Sequence, residues 1–284
     1  MMNVLVTGSN GQLVSCIKDL AKRDTSLNFI YTDYQELDIC DLNQVEGFFK
    51  SNPKIHYCIN CAAYTAVDKA ESEVEKAFEI NATGPKNLAQ VCSEFDTILI
   101  QISTDFVFDG EKTEPYTETD VANPISVYGA SKLQGEVEIK KIVKKHFIIR
   151  TSWLYSEHGN NFMKTMLRLA ETRDEISVVS DQIGTPTYAG DLAAVILKIV
   201  SSKNTNFGLY HYSSEGAVSW YDFAKAIFEE TNIQITLSPI NTEAYPTPAK
   251  RPFFSVMDKT KITSIMGIET RNWSESLKKA IENR

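Results

Sequence analysis

Tyr128 and Lys132 stand four residues apart in the stretch YGASK. In a helix that spacing is about one turn, so phenol and ammonium share a face and can act on one group between them. A lysine close by favours the phenolate and draws a phenol that titrates at about 10 toward working pH. The same pair also occurs on helix surfaces that do no chemistry. Upstream, TILIQISTDFVFDG runs from an apolar strand into a polar turn at Ser103, Thr104 and Asp105. The Thr104 hydroxyl is suited to bind a carbonyl oxygen and to stabilise charge developing on it, although small hydroxyls are plain turn formers as well. Hydroxyl, phenol and ammonium together are the parts needed to reduce a ketone, where carbon takes a hydride and oxygen a proton.

A hydride has to come from a cofactor, and the chain opens on a turn that could hold one. VLVTGSNGQLV puts Gly8 and Gly11 between an apolar run and a helical pattern. Glycines there let backbone amides approach a pyrophosphate, which the helix N-terminus then stabilises. Many strand-to-helix turns carry such a pair, and Val14 replaces the third glycine of the usual pattern. Asp33 follows the second apolar run, where a carboxylate bonds an adenosine ribose 2′ hydroxyl and repels a 2′ phosphate. YTDYQELD offers no Arg or Lys in compensation, so the expected cofactor is NADH or NADPH, with NADH preferred. Asp38 is placed near the adenine. A turn residue closing a strand is the plain reading of Asp33.

These groups need a scaffold. NVLVT (3 to 7), NFIYT (28 to 32), HYCINC (56 to 61), TILIQIS (97 to 103) and HFIIRTS (146 to 152) are continuous apolar runs of strand length, the pattern of strands covered on both faces. Helical patterns at about 12 to 22, 42 to 51, 72 to 94 and 126 to 145 alternate with them. The alternation predicts an α/β fold, a Rossmann-type doubly wound parallel sheet, with a smaller C-terminal substrate-binding lobe folded against the sheet's carboxyl edge. The dinucleotide-binding domain is expected over 1–155 with a returning segment at about 187–212, and the lobe over 156–186 and 213–284. Amphipathic helices are predicted at 161 to 173, 188 to 201 and 219 to 231, and a strand at 208 to 213.

Composition narrows the partners. The 284 residues carry a formal net charge of −8 and no basic run, which argues against nucleic acid. No apolar stretch approaches a membrane span, and MMNVLVTGSNGQL lacks the features of a signal peptide, so a cytoplasmic location with no membrane partner is expected. Five cysteines, an odd number, fit reduced thiols. The Cys58–Cys61 pair lies in an apolar run and reads as core rather than redox. The four histidines have no second ligand at zinc-like spacing, and no metal site is expected.

STDFVFDG, YGASK, TGSNGQL and NCAAYTAVDKAE together resemble the extended short-chain dehydrogenase/reductase family, and TSWLY, GNNFMKTMLRLA, VVSDQIGTPT and YPTPAKRP continue the likeness into the second half. The branch these strings resemble implies an oxidoreductase that reduces the C4 ketone of dTDP-4-dehydro-L-rhamnose, so the partner would be a dTDP-sugar substrate. The resemblance places Thr104, Tyr128 and Lys132 as catalytic. It puts Gly8, Asn10, Gly11, Gln12, Leu13, Ile39, Ala62, Ala63, Tyr64 and Ile102 on the cofactor. Thr65, Val67, Asp105 and Trp153 would meet the sugar, and Arg251 the substrate pyrophosphate. Trp153 as a core aromatic and Arg251 as a solvated loop residue are the simpler readings of those two. The resemblance implies a monomer or homodimer; some relatives pair, in certain cases with a divalent cation such as Mg2+ held by acidic residues, whose ligands are not placed in this sequence. Two other readings stay open: a nucleotide-sugar epimerase or dehydratase, and a non-catalytic regulatory homologue. Phe106 after Asp105, in place of the acidic pair of dehydratases, weighs against the dehydratase.

Overall fold

The computed structural model describes residues 1–22 and 26–284. The chain runs β1 (Met2–Thr7), α1 (Gln12–Ala21), β2 (Leu27–Thr32), α2 (Leu42–Ser51) and β3 (Ile55–Asn60). Then come α3 (Val67–Ala70), α4 (Val74–Phe78), a π-helical turn (Glu79–Thr83), α5 (Gly84–Glu94), β4 (Ile98–Thr104), α6 (Val127–Ile142) and β5 (His146–Thr151). The second half holds β6 (Leu154–Tyr155), α7 (Phe162–Ala170), β7 (Glu175–Val179), β8 (Ile183–Gly184), β9 (Thr187–Tyr188), α8 (Ala189–Ser201) and β10 (Gly208–His211). It ends with β11 (Val218–Ser219), α9 (Trp220–Glu230), β12 (Thr236–Ile240), α10 (Thr260–Met266) and α11 (Trp273–Glu282).

Six strands form one sheet in the order β10-β5-β4-β3-β1-β2, every pairing parallel. Side chains alternate between two cores, which is why the strands read as unbroken apolar runs. Val4, Val6, Ile59, Ile100 and Ile149 face α1 and α8. Leu5, Cys58, Leu99 and Ile148 face α2, α5 and α6. Each such aliphatic side chain, taken fully out of water, contributes about 1.5–3 kcal/mol before chain entropy is charged. From β1 the chain steps outward to β2, then crosses back to β3 and builds in the other direction. That reversal opens a crevice at the carboxyl ends of β1 and β3, the place where open α/β sheets bind ligands.

The single helix expected over 72 to 94 is interrupted by the π-helical turn. Pro85, in the first turn of α5, has no N–H to donate to the carbonyl of Asn81, and its ring crowds that carbonyl. The freed Asn81 carbonyl packs against Gly135 of α6, where a Cβ would collide with it. Cys58 is fully buried as expected, and Cys61, just past β3, packs against the core on the α1 side while also lining the crevice. The second half carries pairings that its sequence did not announce. β7 pairs with β12 in parallel, and β11 with β8 antiparallel. Its own core gathers Tyr155, Met163, Phe223, Ile227 and Leu277. Among the described residues no helix is long and apolar enough to cross a membrane.

Candidate active site

A cleft of about 1330 Å³ follows the carboxyl edge of the sheet. At one end β1 turns into α1 through Gly8, whose φ of 70° suits glycine. A Cβ there would lie 2.7 Å from the Ala62 amide nitrogen and 2.9 Å from the Cys61 carbonyl carbon, both rigid backbone, so only glycine lets this turn close over the end of β3. No side chain caps α1 at Gly11, which leaves its N-terminal amides facing the cleft lining of Asn10, Gly11, Gln12 and Leu13. These are the features an anionic pyrophosphate needs. Val14, in the third glycine position, is fully buried between α1 and the sheet.

Asp33 sits just past β2 and is anchored by the backbone. Its Oδ2 accepts from the Asn10 N–H at 2.8 Å and its Oδ1 from that of Tyr34 at 2.8 Å. Asp38, Ile39, Ala62, Ala63 and Ile102 also line the cleft. Tyr64 does not. Its phenol donates to Glu73 at 3.0 Å, and its backbone is tied on both sides to the Asn81 side chain. A nicotinamide dinucleotide therefore fits this chain's donors and contours, with Tyr64 as support behind the wall.

The chemistry-bearing groups arrive from β4 and α6. Ser126 caps α6 by accepting from the Gly129 N–H at 3.2 Å, which starts the helix one residue before Tyr128. Gly129 is required because a Cβ there would run into the Phe106 carbonyl. The turn after β4 and the first turn of α6 can thus press together, bringing the Thr104 hydroxyl and the Tyr128 phenol to the same stretch of the cleft. Thr104 donates to Asp105 Oδ1 at 3.0 Å. Lys132 is buried one turn on, donating to the Ile102 carbonyl at 2.7 Å. Asn81 locks the helix from behind with a 3.0 Å bond to the Ser131 hydroxyl.

The expected acidification of the phenol is not the net effect here. Burial, with the nearby Asp105 charge, pushes Tyr128 up to about 12, and the neighbouring Thr104 hydroxyl offsets only part of that. The phenol is therefore protonated at neutral pH, the form a proton donor needs. Burial draws Lys132 down to about 8 against the opposing pull of Glu136. Burial likewise raises Asp105 to about 6, against the hydroxyls of Ser255 and Thr104.

The opposite wall belongs to the second half. Trp153, with φ 45°, lays its ring over Trp220 at 3.5 Å and 8°. Gly184 makes room, since a Cβ there would stand 2.6 Å from the Trp153 ring. Thr65, Val67 and Arg251 close this end of the cleft. Arg251 grips Asp68 of α3 through Nη1 at 3.0 Å and Nη2 at 2.8 Å, so it straps the 247–251 loop to the sheet domain as well as facing the cleft. Trp220 and Asn81 were not singled out in the sequence. Trp220 opens an amphipathic helix like any core aromatic, whereas a buried Asn between apolar residues just before Gly-Pro was a usable signal.

One potential ligand group was also hidden by distance along the chain. Cys16, Glu157 and His158 bring ligand atoms within 4.8 Å of one another. Its members are already engaged: His158 Nε2 bonds Asp19 at 2.8 Å, and Glu157 accepts from the Tyr188 hydroxyl at 3.0 Å.

The model of the RmlD substrate binding domain matches residues 2–284. A dTDP-4-dehydrorhamnose reductase of Aggregatibacter actinomycetemcomitans is 43% identical over 288 residues, covering 98% of each chain. The crystal structure of a dTDP-4-dehydrorhamnose reductase from Clostridium acetobutylicum superposes with a TM-score of 0.95 at 48% identity, covering 99% of both chains. That of the Bacillus anthracis enzyme, in complex with NADP, superposes at 0.96 with 39% identity over the whole of both. With a match running from the cofactor turn to the last helix, the chain belongs to the family of the RmlD substrate binding domain.

Proposed function

We propose that this chain reduces the C4 ketone of dTDP-4-dehydro-L-rhamnose to dTDP-L-rhamnose, with NADH or NADPH as the reductant. The observation that carries the reading is the convergence of Thr104, Tyr128 and Lys132 on one cleft wall beside the glycine turn. When bound, the nicotinamide supplies the hydride. Gly8 to Leu13 hold the pyrophosphate, Asp33 the adenosine ribose, and Lys132 the ribose next to the nicotinamide. Thr104 binds the ketone oxygen and stabilises the charge that grows there. Tyr128 gives that oxygen its proton, and the Lys132 ammonium stabilises the phenolate left behind. The stacked Trp153 and Trp220 form a flat wall for the deoxysugar, Asp105 holds a sugar hydroxyl, and Arg251 faces the substrate diphosphate. Residues 156–186 and 213–284 act as the sugar-nucleotide lobe. Pure protein mixed with the keto-sugar nucleotide and reductant should consume dihydronicotinamide with one alcohol formed per reductant oxidised. Binding without oxidation would defeat the proposal.

NADH is the favoured reductant, because Asp33 and the adjacent Glu36, which accepts from the Asp33 N–H at 2.9 Å, put two carboxylates where a 2′ phosphate would sit. Asp33→Ala also loosens the turn by freeing the Asn10 and Tyr34 amides, so both reductants lose affinity and the ratio is the readout. NADH should lose roughly tenfold more in kcat/KM than NADPH, the value of one hydrogen bond to a charged group. Equal losses would remove the preference. Arg251→Ala should raise the substrate KM roughly tenfold with kcat changed about twofold or less, as expected for binding common to ground and transition states. An unchanged KM would leave Arg251 as a strap to Asp68 and nothing more.

A further inference from the structure

We infer that Glu136 is a positioning residue for this reaction, setting the Lys132 ammonium and the end of β4 through a buried network with Arg150 and Ser103. The inference rests on the reduction proposed above. Glu136 lies one helical turn after Lys132 on α6 and is completely buried. Its Oε1 accepts from the Ser103 hydroxyl at 2.6 Å and from Arg150 Nε at 2.8 Å, and its Oε2 from Arg150 Nη2 at 2.7 Å. Ser103 precedes Thr104, and Arg150 is its partner in the β4–β5 register. Arg150 continues outward, with its guanidinium carbon 5.1 Å from the centre of the Phe108 ring and Nη1 3.5 Å from His211 Nε2 on β10. One carboxylate thus couples a helix to three neighbouring strands directly beneath the reacting groups.

A buried ion pair of this kind is a poor way to gain stability, since apolar residues of equal volume often serve as well. Its location supplies another use. The charged and titratable groups around Lys132 are Tyr128, Glu136 and Lys140 on its own helix, Cys61 past β3, Asp105 past β4, Arg150 on β5, His211 on β10, and Lys76 and Glu79 at the cleft mouth. Burial works against the Lys132 charge, and the carboxylate that opposes this most strongly is Glu136. Arg150 keeps Glu136 ionised in a site where burial alone would protonate it. Without the Glu136 charge, Lys132 would shed its proton closer to neutral pH, and Ser103 would lose the bond that fixes the strand leading to Thr104.

The test compares the parent protein, Glu136→Gln and the double variant Glu136→Gln/Arg150→Gln, with kcat/KM measured from acid to alkaline pH and folding followed by circular dichroism. The single variant leaves Arg150 buried without a counter-charge; the double variant removes both charges and keeps two amides that can bond one another. In Glu136→Gln, which loses only the opposite charge, the alkaline midpoint should move down by about one pH unit or more; in the double variant, which also loses the like charge of Arg150, it should move down by less. A folded Glu136→Gln with the parental midpoint overturns the inference. Glu136→Asp keeps the charge, one methylene further back, and serves if the neutral variants do not fold: it should lower the midpoint by less, and no change at all would also overturn the inference. The same displacement should appear when the Lys132 side chain is titrated by NMR. That readout needs no turnover, so an inactive parent would count against the reductase reading and leave the role of Glu136 decidable.

Discussion

Replacing Tyr128 by Phe is expected to cut kcat by about 10² to 10⁴, the range that positioned proton donors contribute. The ring stays, and with it the edge contact to Phe106 at 5.6 Å, so the fold and the cleft should be preserved. KM for the sugar nucleotide should change little, because the hydroxyl acts on charge that appears only as the hydride arrives. The burial that lifts the phenol to about 12 sharpens the expectation, since it keeps the phenol protonated at neutral pH and water in the cleft is a poor substitute donor. Steady-state rates at saturating reductant decide the matter. A variant within about threefold of the parent would remove Tyr128 from the chemistry.

Lys132→Met should show the opposite balance between activity and stability. In the mechanism proposed above the phenolate and the nicotinamide ribose both lose their cation, so activity should fall by about 10² or more. The folded state holds Lys132 at about 8, below its ordinary 10.5, so folding at neutral pH works against a proton that the unfolded chain binds more tightly. By linkage the lysine contributes instability that is fully present below about 8 and is relieved as pH rises from there toward 10.5. The gap corresponds to about 3 kcal/mol, of which about 1 returns as the lost bond to the Ile102 carbonyl. Thermal unfolding at pH 7 should therefore find the methionine variant as stable as the parent or more so, with the difference shrinking above pH 8. A variant clearly less stable at pH 7 would mean that the ammonium is well solvated in the cleft.

Much of this site could be read before any coordinates, and the reason is physical. Parallel strands covered on both faces have to be apolar at every position, so β1 to β5 stood out, with bounds moving by only a residue or so. Tyr128 and Lys132 were legible because helical periodicity is local, and Gly8 because a left-handed turn leaves few choices of residue. The direction of the Tyr64 side chain was not legible, because it is set by partners elsewhere in the fold, Glu73 and Asn81. β7 and β12 escaped notice because each is stabilised by pairing with a segment about sixty residues away, which no local pattern reports. The network of Glu136 joins α6, β4, β5 and β10, so its meaning exists only in three dimensions.

The first helix also reaches far along the chain. Gln12 donates through its side-chain amide to the Leu154 carbonyl at 3.1 Å, and its Oε1 accepts from the Ser156 hydroxyl and the Asn161 side chain at 3.2 Å. The edge strand β10 comes later still. On the ribosome, then, a nascent chain that has already made its glycine turn must wait for more than half of the remaining polypeptide before that turn is braced. Trapping partly synthesised chains of increasing length should reveal dinucleotide retention appearing abruptly, once the segment through residue 211 has cleared the exit tunnel, rather than growing in step with length.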